Sequence, residues 1–141
     1  MTIKEIQNEI IDEFSMFDDW MQRYEYIIEL GKSLPLIQEE YKTEENLIKG
    51  CQSKVWLQGE QKNDKIVFTA DSDAILTKGI IAILIRAFSN QKAEDIINAD
   101  TQFIDEIGLK EHLSATRANG LVSMIKNIKM YALAFDSKNR N

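Results

Sequence analysis

Residues 53–70 read Ser53-Lys54-Val55-Trp56-Leu57-Gln58-Gly59-Glu60-Gln61-Lys62-Asn63-Asp64-Lys65-Ile66-Val67-Phe68-Thr69-Ala70. Val55-Trp56-Leu57 and Ile66-Val67-Phe68-Thr69 are built from residues that favour strands. Asn63-Asp64 between them is a good turn pair, because both side chains tolerate tight backbone conformations. The stretch predicts an antiparallel hairpin over about 53–70.

The flanks read as helix. Upstream, Thr2 and Glu5 stand at capping-box spacing, and Ile3, Ile6, Ile10 and Phe14 recur at helical intervals. Ser15 to Asp18 interrupts that helix, and Asp18 is placed to cap a second. Trp20, Tyr24, Ile27 and Ile28 form the second helix's apolar stripe. Gly31 reads as its stop, with Pro35 shortly beyond. Residues 42–46 are polar and loop-like, and Leu47-Ile48 reads as a short strand leading into Gly50-Cys51.

Downstream, Asp71-Ser72-Asp73 offers capping groups. Residues 74–88 are apolar on almost every side, and their length favours a buried helix. Gly79 inside that segment suits close packing. Short helical pieces are expected near 92–98 and 101–107. A long closing helix carries Leu121, Met124, Ile125, Ile128, Ala132 and Phe135 on one face. Helices, then a hairpin, then helices make an α+β pattern: a small antiparallel sheet, the hairpin plus a short strand, with helices on one face. One domain is expected over 1–136, followed by a short solvated tail at 137–141.

The 141 residues are 44% hydrophobic and 28% charged, enough for one sizeable core. A net charge of −6 argues against nucleic acid as a partner, since phosphate binding needs clustered Lys and Arg. The opening residues lack the basic start and apolar run of a signal peptide. The longest apolar run, Gly79 to Ile85, falls far short of the roughly 20 residues of a membrane span.

The chain has one cysteine and one histidine. No disulfide can form within it, and Cys51 with His112 cannot supply a zinc site. A lone usable thiol fits a reducing compartment, so a cytoplasmic location is expected. Gly50 gives the backbone freedom to place Cys51 at a loop tip. Lys49 and Lys54 could favour the thiolate, which is the nucleophile. Cys51 could equally be a small buried hydrophobe.

The stretches Tyr26-Ile27-Ile28-Glu29-Leu30-Gly31 with Leu34-Pro35, Ile48-Lys49-Gly50-Cys51-Gln52-Ser53 with Val55-Trp56, Asp71-Ser72-Asp73-Ala74 with Lys78-Gly79, and His112-Leu113-Ser114, Arg117 and Gly120-Leu121 together resemble the SufE/CsdE family of sulfur-acceptor proteins. The resemblance covers most of the chain. It implies a fold shared with IscU-type scaffolds. It also implies an accessory carrier rather than the pyridoxal phosphate enzyme itself: Cys51 takes persulfide sulfur from a SufS/CsdA-like cysteine desulfurase, stimulates it, and relays the sulfur to a SufBCD-like iron–sulfur scaffold. No cofactor belongs to the carrier on this reading; the pyridoxal phosphate is the partner's. Either a monomer or a homodimer fits.

Other residues carry two readings each. Arg117 matches the family's arginine near the sulfur site and could stabilise a thiolate or persulfide, or be a solvated arginine in the first turn of the last helix. Asp73 and Ser72 either touch the desulfurase or assist loop movement, or cap a helix. Gln52, Ser53 and Gly50 flank the thiol and could hold its loop. His112 reads as a structural hydrogen-bonding residue, and Trp56 as packing. Three further functions stay open: a carrier feeding another sulfur acceptor, a scaffold for a cluster, and a binding module with Cys51 as core. A cluster normally needs four protein ligands, mostly Cys.

Overall fold

The computed structural model describes residues 1–139. Helix α1 spans Ile3–Ser15 and starts at the expected capping box: Thr2 Oγ1 accepts from Glu5 N at 3.1 Å, and Glu5 Oε1 accepts from Thr2 N at 2.9 Å. Its buried face is Ile3, Gln7, Ile10 and Phe14. Gln7 is buried because its amide donates to the Asp100 carbonyl at 3.0 Å. Helix α2 spans Trp20–Gly31. Asp19 caps it, rather than the expected Asp18, through a 2.8 Å bond from Gln22 N.

The hairpin forms as expected. Strand β1 (Val55–Lys62) pairs antiparallel with β2 (Lys65–Ser72), from Val55 opposite Ser72 to Lys62 opposite Lys65. Asn63 turns the chain in the left-handed region, at φ 60°. Val55, Leu57, Ile66, Phe68 and Ala70 point into the core. The short strand at Leu47-Ile48 is a single antiparallel bridge, Leu47 opposite Trp56, with Ile48 N donating to the Val55 carbonyl at 2.8 Å. On the other edge Leu36 bridges Ala70 in parallel.

Helix α3 (Ile75–Phe88) is the core helix, buried on most of its surface. Gly79 is where it crosses α2: a Cβ there would stand 2.2 Å from the Ile27 carbonyl oxygen. Gly31 faces the same crossing, with Gly79 N 3.0 Å from its own Cβ position. Gly31 therefore serves packing as well as ending a helix. Short helices α4 (Ala93–Asn98), α5 (Gln102–Glu106) and α6 (Leu109–His112) lead into α7, Ala115–Asn139.

Leu121, Met124, Ile128 and Ala132 bury one face of α7. Tyr131 crosses β1 and donates to the Leu57 carbonyl at 3.2 Å. One cluster of buried apolar side chains extends from Ile3 to Ala132. Residues 137–139, assigned to the tail from the sequence, are exposed but helical, and 140–141 lie outside the described residues. No helix among the described residues is long and apolar enough to cross a membrane. The result is an α+β fold in which the 47–54 loop, the start of α3 and the first turns of α7 converge.

Candidate functional site

Cys51 lies in the loop between the Leu47 bridge and β1. Gly50 enters it at φ 92°, a left-handed conformation that side chains resist. A Cβ on Gly50 would also meet Ser123 Oγ at 2.8 Å, so the loop lies directly on α7. The thiol turns the same way. Cys51 Sγ donates to the Gly120 carbonyl at 3.7 Å, and a Cβ on Gly120 would stand 3.2 Å from that sulfur. Glycine at 120 is what lets the thiol seat against the helix backbone.

Cys51 is half-buried and stands between two spaces. Inward is a small cavity of about 10 Å³ bounded by Thr77, Ile80, Arg117, Gly120 and Met124. Outward is an open cavity of about 590 Å³ along the loop, flanked by Glu44, Glu45 and Lys49. Gln52 and Ser53 line both.

Burial pushes the Cys51 thiol up from its ordinary value, and no cation pulls it down. The expectation that Lys49 and Lys54 favour the thiolate is not met: both are exposed, and desolvation alone sets the shift. Desolvation favours the neutral thiol because a low-dielectric surrounding penalises charge.

Asp73 holds the far end of the loop. Its Oδ1 accepts from Lys54 N at 3.0 Å, and its own N–H donates to the Lys54 carbonyl at 3.2 Å. Asp73 does not cap α3, whose N-cap is Ala74 without a side-chain bond. Ser72 Oγ accepts from Ala74 N at 3.2 Å, which shapes the turn before the helix. The capping reading thus gives way to a cross-link between the α3 approach and the Cys51 loop.

Arg117 sits in the first turn of α7, its N–H donating to Ser114 Oγ at 3.2 Å. It is exposed and borders the small cavity. His112 lies elsewhere. Its Nδ1 bonds the Gly108 carbonyl at 2.9 Å, and its ring stacks on Trp20 at 3.9 Å and 15°. That is the structural hydrogen bond expected of it. Trp56 packs in the sheet under Lys42, whose Nζ is 5.3 Å from the ring centroid.

Thr77, Gly120 and Ser123 complete the site and were not read as its members from the sequence. Thr77 carried one signal, a hydroxyl inside the run 74–88, whose other polar side chains are Lys78 and Arg86 alone. Among the described residues, no three His, Cys, Asp or Glu side chains gather as a metal site.

The SufE family model, described as an Fe-S metabolism associated domain, matches residues 8–132. An uncharacterised SufE-like protein of Rhizobium meliloti is 44% identical over 130 residues, covering 89% of this chain and 93% of its own. One of Rhizobium etli is 44% identical over 127 residues, covering 86% of each chain. A solution structure of a hypothetical protein from Thermus thermophilus superposes with a TM-score of 0.76 at 14% identity, covering 92% of this chain and 94% of that one; it shares the fold. The chain therefore belongs to the SufE family of Fe–S metabolism associated domains.

Proposed function

We propose that this protein accepts persulfide sulfur on Cys51 from a pyridoxal phosphate-dependent cysteine desulfurase, raises that enzyme's turnover, and relays the sulfur to an iron–sulfur assembly scaffold. The observation that carries the reading is the seat of Cys51. A half-buried thiol on a Gly50-hinged loop, with a small cavity behind it and an open one before it, is sheltered at rest and deliverable on movement.

The chemistry is thiol exchange. Cys51 thiolate attacks the outer sulfur of the desulfurase persulfide, a bond forms from Sγ to that sulfur, and the S–S bond in the donor breaks. The donor cysteine leaves as thiolate. No electrons are gained or lost overall, and Cys51 ends as a persulfide. Handing on the sulfur repeats the step with the next thiolate as attacker.

The thiol's acidity supports gating by movement. Its pKa is raised by burial alone. Drawing Sγ out of its seat towards water restores ordinary thiol acidity and so more thiolate. The resting protein is protected by the same burial that suppresses its reactivity. Both the thiol and its persulfide suit a reducing, cytoplasmic setting.

Desulfurase turnover with and without the protein tests this reading. Wild type raises alanine release from L-cysteine, and Cys51→Ser does not. Equal stimulation by Cys51→Ser would overturn the relay.

A further inference from the structure

A cleft of about 320 Å³ lies among α1, the end of α2, β2 and α3. It shares no lining residue with either cavity beside Cys51. Leu30, Val67, Phe68, Ala82 and Ile83 belong to its wall, which is apolar over most of its surface. Small-molecule sites are mostly apolar clefts of about 300 Å³ or more, so this one falls within their range. An apolar cavity of about 150 Å³ accepts one benzene ring. Twice that volume suits a molecule of about two fused rings.

Charge narrows the occupant. Arg86 is the one charged residue bordering the cleft among the described residues. Its guanidinium is already engaged by α1: one terminal nitrogen donates to Glu13 Oε1 at 2.7 Å, and the other donates to Glu13 Oε2. Glu9 Oε2 stands 3.8 Å from that second nitrogen. A bidentate pair of this kind uses both carboxylate oxygens and the matching edge of the guanidinium. One cation thus faces two carboxylates, and the border of the cleft is negative on balance. An anionic ligand would meet an arginine that is already neutralised, with a second carboxylate close by. A cationic ligand would lose its water against apolar walls. An uncharged molecule incurs neither penalty.

We propose that this cleft is a binding site for an uncharged, largely apolar small molecule of about two fused rings. The site is separate from the sulfur chemistry of Cys51 and does not rest on it.

Three probes of one shape test the claim: 2-naphthamide, the anion 2-naphthoate and the cation 2-naphthylmethylammonium. Each is titrated into the full chain while the methyl signals are followed by NMR. The amide is expected to bind saturably and to shift the methyls of Leu30, Val67 and Ile83. Both charged analogues are expected to bind about tenfold more weakly or worse, the scale of a charge set against its surroundings near a protein surface. Ala82→Leu and Val67→Phe fill the cleft from α3 and from β2, and each should weaken the amide at least about tenfold, as lost space for a ring does. Cys51→Ser should bind the amide as wild type does.

Absence of saturable shifts with the amide would overturn the proposal. So would shifts centred on other methyls, or wild-type affinity in both filled variants. A charged analogue that binds as tightly as the amide would overturn the uncharged class. Thermal melts accompany the variants. If Ala82→Leu melts well below wild type, Val67→Phe and the methyl shifts decide the matter. A Cys51→Ser protein that binds the amide but fails to carry sulfur leaves this site standing, and a failed relay leaves it standing too.

Discussion

Asp73 and Lys54 hold each other twice: Asp73 Oδ1 accepts from Lys54 N at 3.0 Å, and Asp73 N donates to the Lys54 carbonyl at 3.2 Å. The pair joins the approach to α3 to the loop that carries Cys51. Only the first bond uses a side chain, so substitution can cut it alone. Asp73→Ala should raise the rate of Cys51 labelling by iodoacetamide about fivefold, the shift that ~1 kcal/mol of lost hydrogen bonding brings. The protein should remain folded by circular dichroism.

The thiol's titration makes a second prediction. Burial raises the Cys51 pKa in the folded state. The folded protein therefore holds that proton more tightly than the unfolded chain. The associated stability is intact below the ordinary thiol value and is lost as pH rises through the folded one. Denaturant unfolding at neutral and alkaline pH should show an alkaline loss that shrinks in Cys51→Ala. Lys49→Gln and Lys54→Gln should leave the pH profile of thiol labelling unchanged, because neither ammonium contributes to the shift.

Gly79 tests the fold that supports the site. A Cβ there would meet the Ile27 carbonyl oxygen at 2.2 Å, and backbone cannot step aside as a side chain can. Gly79→Ala should destabilise the protein by about 3 kcal/mol, at the upper end of overpacking costs. In thermal melts this is a fall in midpoint of roughly 10 °C.

His112 is predicted to be dispensable for chemistry. Its ring stacks on Trp20, and its carbonyl accepts from Tyr24 Oη at 2.7 Å. His112→Gln keeps the backbone acceptor and loses the stacked pair. The cost should be about 1 kcal/mol of stability, as for aromatic pairs generally. Sulfur loading of Cys51 should be unchanged at a temperature where the variant is folded.

The local features were legible in the sequence because their causes are local. Asn63-Asp64 turns the hairpin, Thr2 and Glu5 start α1, and the apolar run 74–88 becomes the core helix. Gly50 before Cys51 announced the loop for the same reason: a left-handed backbone position is a property of one residue. The rest depended on contacts across the chain. Nothing near Cys51 reveals that its sulfur rests on Gly120, or that Ser123 lies under Gly50. Asp73 looked like a helix cap because capping residues and loop cross-links draw on the same side chains. Lys49 and Lys54 looked like activators because they are close in sequence, yet charge acts through space and burial, and both are exposed to solvent.

The central claim is that Cys51 carries one sulfur atom. The most direct test is mass spectrometry of the intact protein and its peptides after incubation with a cysteine desulfurase, pyridoxal phosphate and L-cysteine. The account predicts a gain of one sulfur mass on the peptide containing Cys51, removed by a thiol reductant and absent from Cys51→Ser. An unmodified Cys51 beside an active desulfurase would contradict it.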